Sequence, residues 1–158
     1  MTAFSDADIQ RLLGLGQLQI LPFTEAQLTP NGYDLAIAEI QVPAKGLRVT
    51  EGTATVPPGT RFLVSTRERV ELGETLVGEL WLRTTWARRG VLASFGKVDA
   101  GFRGTLTLAA FNASHEPLGV PIGETFAQVV FTPLASPASR TYGERSGNYL
   151  NQQGIVVK

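Results

Sequence analysis

Between Arg83 and Gly104 the chain concentrates groups that could hold and attack a phosphate. Arg83, Arg88, Arg89, Lys97 and Arg103 stand there against a single acid, Asp99, in a protein whose formal net charge is zero. A local excess of this kind reads as an anion site or as a solvated basic face. Thr84 and Thr85 follow Arg83 directly and precede a stretch able to form one or two helical turns. Their hydroxyls and free backbone N–H groups would suit phosphate oxygens, and the forks of Arg83 and Arg88 would add charge-assisted bonds. Asp99, in Val98-Asp99-Ala100-Gly101, either caps its own turn or, beside an anion, orients and deprotonates a water for attack on phosphorus. A divalent metal would then offset the phosphate charge.

Composition removes other chemistries. With no cysteine and one histidine, His115, the chain cannot build the His/Cys/Cys zinc site of the common nucleobase deaminases, nor a cysteine nucleophile. His115, in a polar turn, reads as a surface residue. Zero net charge argues against a general nucleic-acid or membrane-surface binder. No apolar run approaches the roughly 20 residues that span a bilayer, and Met1-Thr2-Ala3-Phe4-Ser5-Asp6 lacks the basic start and apolar centre of a signal peptide. The expectation is a cytoplasmic protein. The absence of cysteine agrees with a reducing compartment without requiring one.

The elements that must position these groups are mostly strands. Ser5 to Asp8 followed by Ile9, Leu12 and Leu13 predicts a capped helix, Ser5 being the N-cap, Asp8 the capping-box acid, and Gly14 and Gly16 the stop. Periodicity then changes to two, at Leu18/Ile20, Leu35/Ile37, Phe62/Val64, Leu80/Leu82, Leu106/Leu108 and Val129/Phe131. Turn signals at Pro30-Asn31-Gly32, Pro57-Pro58-Gly59, Glu71-Leu72-Gly73 and Pro121-Ile122-Gly123 lie too close together for βαβ crossovers. With 17 Gly and 9 Pro in 158 residues, the pattern predicts a mainly β fold, a distorted jelly-roll or β-barrel with one N-terminal helix. Residues 1–134 form the β domain. Residues 135–158, polar and punctuated by Gly and Tyr, read as its mobile C-terminal arm or as a frayed terminus.

At these residues the chain resembles the dCTP deaminase/dUTPase superfamily. That family's pattern is Arg-Ser-Ser-x-x-Arg-x-Gly, a short hairpin with Asp-x-Gly-aromatic-x-Gly, and a strand ending in Asn. Here it is followed by Arg83-Thr84-Thr85-Trp86-Ala87-Arg88-Arg89-Gly90, by Asp99-Ala100-Gly101-Phe102-Arg103-Gly104 and by Leu106 to Asn112, with Thr for both serines. Further matches are Leu28-Thr29-Pro30-Asn31-Gly32-Tyr33-Asp34-Leu35, Gly123 to Phe131, and Asn148 to Gly154. The resemblance implies a homotrimer with active sites between subunits, Mg2+ on a bound triphosphate, and an arm that closes over the nucleotide.

Within the superfamily, deaminases carry a glutamate in the strand before the Asn, where it shuttles protons during attack of water on cytosine. Ala109 takes its place here, and the hairpin expected from Gly90 to Asp99 looks like the shorter version of archaeal-type dUTPases with deaminase-like ends. Loss of a positioned acid/base costs ~10² to 10⁴-fold in rate. The expectation is therefore a dUTP diphosphatase giving dUMP and pyrophosphate, the alternatives being a dCTP deaminase that recruits another carboxylate or a deoxynucleotide-binding regulator. By the resemblance Arg83, Thr84, Thr85 and Arg88 hold the phosphates and Asp99 activates the water. Phe102 packs on the deoxyribose, backbone groups of Ala93, Ser94, Phe95 and Gly96 read the base, and Gln128, Tyr149 and Gln153 contact phosphates or close the site. Trp86 is expected at a subunit contact; Tyr33 and Asp34 serve the fold or an interface.

Overall fold

The computed structural model describes residues 2–158. Its strands are β1 (Leu18–Leu21), β2 (Leu28–Thr29), β3 (Gly32–Val42), β4 (Leu47–Val49), β5 (Thr53–Val56), β6 (Thr60–Thr66) and β7 (Arg69–Leu72). They continue as β8 (Leu76–Leu82), β9 (Val91–Ala93), β10 (Lys97–Val98), β11 (Arg103–Gly104), β12 (Thr107–Asn112), β13 (Leu118–Pro121) and β14 (Thr125–Pro133). The helices are α1 (Asp6–Gly14), α2 (Thr84–Arg88) and α3 (Tyr142–Arg145).

One large sheet runs in the order β10-β8-β14-β3-β6-β12-β9, with β2 and β4 added along the long β3; β1-β7-β11 and β13-β5 form two small sheets. Every recorded pairing is antiparallel. The sheets enclose one core that runs from Ile9 through Leu35, Phe62 and Phe126 to Phe131, all buried. This is the mainly β, jelly-roll-like arrangement that the period-two pattern predicts. On β12 the alternation is explicit: Leu108, Ala110 and Asn112 point into the core, while Ala109 and Phe111 face out.

The helix α1 starts as its sequence requires, with the Ser5 hydroxyl accepting from the Asp8 N–H at 3.3 Å and Asp8 accepting from the Ser5 N–H at 3.2 Å. Gly16, at φ +67, supplies the left-handed residue after the helix. Two local expectations change. Glu71 and Leu72 lie inside β7, so the turn falls after them, because β1 and β11 offer both edges of that short strand partners. The segment from Gly90 to Asp99 is not a hairpin: β9 pairs with β12, β10 pairs with β8, and residues 94–96 cross between them.

Residues 135–158 lie along their own chain. The Tyr142 N–H donates to the Ala100 carbonyl at 2.8 Å, Asn151 N–H to Arg103 at 2.7 Å, and Val156 N–H to the Thr107 hydroxyl at 3.0 Å. A side chain on Gly101 would place its Cβ 2.4 Å from the Thr141 Cβ, and one on Gly104 would come within 3.1 Å of the Gln152 backbone. Both glycines have positive φ, 80° and 147°, so bare backbone is needed twice over where the arm is seated.

Candidate active site

Asp99 sits at the end of β10, held in a tight turn whose Phe102 N–H donates to the Asp99 carbonyl at 3.0 Å. It opens on a cavity of about 310 Å³ whose walls include Ser94, Lys97, Phe102, Thr107, Ala109, Tyr142 and Tyr149. Asp99 is the only carboxylate among its lining residues. Lys97 pairs with Glu79 across the β10–β8 register at 3.3 Å, which fixes one wall. Phe102 is 5% exposed and meets the Tyr142 ring edge-on at 5.5 Å between centroids. The Tyr142 hydroxyl accepts from the Tyr149 N–H at 3.1 Å. The arm thus forms part of the cavity wall in the same chain that supplies Asp99.

The expected phosphate ligands gather elsewhere. Arg83, Thr84, Thr85 and Gln128 line a second depression of about 400 Å³ together with Thr29, Asp34 and Trp81. The Arg83 Nε lies 3.1 Å from the Asp34 carboxylate, and its guanidinium also bonds the Thr125 hydroxyl. Burial pushes the Asp34 carboxyl up from its ordinary value, and Arg83 draws it partly back. Gln128 donates to the Thr29 hydroxyl at 2.8 Å. A third depression, about 360 Å³, runs between the other two along Glu79 to Leu82 and Ala93 to Lys97. It contains Ala93, Ser94, Phe95 and Gly96, the segment expected to read the base.

Arg88 lies on α2, exposed and outside these three depressions. In the arm, Gln152 rather than Gln153 lines the Asp99 cavity; Gln152 donates to the Thr105 carbonyl at 2.7 Å, while Gln153 is exposed. Trp86 belongs to its own chain's core rather than to a subunit contact. It is 0% exposed, donates from Nε1 to the Thr125 carbonyl at 2.8 Å, packs on Phe126 and carries Arg89 over its ring at 4.7 Å. His115 is exposed, as its turn context predicts.

Tyr33 and Asp34 divide between fold and site. The buried Tyr33 hydroxyl accepts from the Thr24 N–H at 2.9 Å, whereas Asp34 orients Arg83. Sequence reasoning passed over Trp81, which is 59% exposed beside Gln128. The signal available was its place two residues before Arg83 in a strand, hence on the same face. It also missed Glu68, wholly buried, which accepts from the Ala36 N–H at 2.8 Å and from Gln27 at 2.9 Å. Among the described residues no cluster of three or more His, Cys, Asp or Glu is placed to hold a metal ion, and no helix is long and apolar enough to cross a membrane.

Residues 36–134 match the family model described as dCTP deaminase-like. The chain is 44% identical over 143 residues to a protein of Thermococcus kodakarensis named dCTP deaminase, covering 89% of this chain and 90% of that one. A protein of the same name from Thermococcus gammatolerans is 41% identical over 143 residues, covering 89% of each. The solved structure of a 2′-deoxycytidine 5′-triphosphate deaminase from Agrobacterium tumefaciens shares the fold at a TM-score of 0.69 and 18% identity. That alignment covers 82% of this chain and 47% of the other, so the chain spans about half the length of that structure. These relatives correct the expectation of a dUTP diphosphatase, since the two chains, 41% and 44% identical over 89% of this one, bear the deaminase name. The expectation leaned on Ala109 as though one position had to supply the acid, yet Ala109 and Asp99 line the same cavity.

Proposed function

The chain belongs to the dCTP deaminase-like family, and we propose that it deaminates dCTP, with Asp99 as the proton carrier. What carries the reading is the kinship with chains of that name along nearly the full length. The cavity supports the assignment of Asp99, because it offers no second carboxylate. Water adds through its oxygen to C4 of the cytosine ring while Asp99 takes one of its protons and passes it to N3. The hydroxyl proton of the adduct then crosses the same carboxylate to the amino nitrogen. The C4–N bond breaks, ammonia leaves, and the C4 carbonyl of dUTP forms.

Arg83, Thr84, Thr85 and Gln128 hold the triphosphate in this proposal, and Phe102 packs against the sugar. Mg2+ fits on the phosphates rather than on a protein cage, since Asp34, the one carboxylate lining that depression, is already paired with Arg83. When bound it offsets phosphate charge. We place the homotrimer in the same proposal: Leu92, 63% exposed, and Phe111, 40% exposed, stand directly opposite each other on β9 and β12 and form an apolar face for another copy to cover.

Chromatography of dCTP incubated with protein and Mg2+ tests the reading. It expects dUTP and ammonia in equal amounts, with Asp99→Asn slower by roughly 10² to 10⁴-fold and still binding dCTP. Release of pyrophosphate with the amino group retained, or no product at all, overturns it.

A further inference from the structure

We infer that Glu39 is a release device for the end of the C-terminal arm, a buried carboxylate short of hydrogen bonds that residues 154–156 must cover in order to be seated. Glu39 is 6% exposed and takes no part in the chemistry proposed above. It stands on β3 directly opposite Ser65 of β6, and Ser65 stands opposite Thr107 of β12. Val64 and Leu108, neighbours of Ser65 and Thr107, belong to the core, so the row of three lies on the other face of the sheet. The arm crosses it there. The Thr107 hydroxyl donates to the Gly154 carbonyl at 3.4 Å and accepts from the Val156 N–H at 3.0 Å. Gly154, at φ +66, lies so near that a side chain on it would place its Cβ 3.0 Å from Glu39 Oε2.

The carboxylate under the arm is poorly compensated. Glu39 Oε1 is buried and has no hydrogen-bond partner, and the Ser65 hydroxyl beside it donates to the Thr66 carbonyl instead. Its one ion pair among the described residues is with Arg48 of β4, whose side chain is 66% exposed. Depriving a carboxylate of water without giving it hydrogen bonds costs free energy that a single partner at the surface does not offset. Lifting residues 154–156 lets water reach Glu39 and removes that cost. The arm's bonds to Thr105 and Thr107 therefore work against the carboxylate they cover, which makes the end of the arm a strap that leaves and returns. Tyr149 and Gln152, on the same stretch, line the Asp99 cavity. On the proposal that this cavity is catalytic, the strap governs passage of nucleotide, whichever copy supplies the phosphate ligands.

Two substitutions with opposite expected effects test the inference. In amide hydrogen exchange on the full-length protein, the seated arm is reported by Val156 and by Thr105, whose N–H donates to the Gln152 carbonyl at 3.0 Å. Glu39→Gln keeps the shape and removes the charge, and both amides are expected to exchange roughly 5-fold or more slowly than in the parent. Arg48→Ala takes away the only charge that compensates Glu39, and the same amides are expected to exchange several-fold faster. Faster exchange in both variants would mean that the ion pair holds the arm down, and it overturns the inference; so does unchanged exchange in Glu39→Gln. Passage is read separately, as release of labelled dCTP into excess unlabelled dCTP in the Asp99→Asn background, where Glu39→Gln is expected to slow release several-fold. Release at the parent rate while the arm amides slow overturns the role at the cavity. A parent that binds no dCTP removes the deaminase reading and leaves the strap, which exchange decides by itself.

Discussion

The Asp34–Arg83 pair shows how a single side chain can cost stability to serve a site. Asp34 is 8% exposed, and its ion pair with Arg83 at 3.1 Å does not fully offset the loss of water, so its carboxyl stays above the ordinary value of 3.8. A group raised in the folded state contributes stability that is complete below its unfolded pKa and is lost as pH climbs through the folded one. The stability of the parent relative to Asp34→Asn should therefore fall as pH rises from below 3.8 toward neutrality. Urea midpoints at a series of pH values would show it, and a parent that gains on the variant as pH rises would mean that Arg83 outweighs burial. Asn keeps the shape but not the charge, so Arg83 in this variant should also hold tripolyphosphate in a less defined orientation. The gain that justifies a costly carboxylate is a guanidinium pinned in one place.

At the level of elements, the arm is the part whose role depends most on weak local bonds. Glu144 accepts from both the Thr141 N–H, at 2.7 Å, and the Thr141 hydroxyl, at 2.8 Å, and this box opens the short α3 that carries Tyr142. Removing it by Glu144→Ala should speed amide exchange several-fold at Ser146, Gly147 and Asn151 and leave Val64 and Leu108 untouched. Equal exchange at all sites would mean that the seat on Gly101 and Gly104 holds the arm alone. The same element marks where sequence reasoning stops. The capped α1 and the period-two strands are local patterns, so Ser5, Asp8 and the alternation in β12 could be read directly. The partners of β9 and β10 could not, because Val91–Ala93 and Lys97–Val98 are too short to carry a pattern and their pairing is decided by distant strands. For the same reason Arg83 and Asp99 could be named as chemical groups but not assigned to separate depressions, and Gln152 could not be told from Gln153.

For the whole molecule, one buried carboxylate and one apolar face set the limits. Glu68 ties Gln27, Ala36 and Arg67, from three stretches of chain, to one point with no exposure of its own. The face of Leu92 and Phe111 is the opposite case, apolar and open. In the homotrimer proposed above, Leu92→Glu should reduce the mass seen by light scattering from three chains of 17.0 kDa to one. A parent protein that already has the mass of one chain would remove the trimer from the proposal. The seat of the arm has a consequence for mutational scanning. At Gly101 and Gly104 any side chain meets the arm's Thr141 or Gln152, so both positions should score as intolerant in an activity selection as Asp99 does. A map drawn from such scores would place two extra catalytic residues in this turn, where there is only backbone making room; a binding or folding readout run in parallel would separate missing chemistry from missing space.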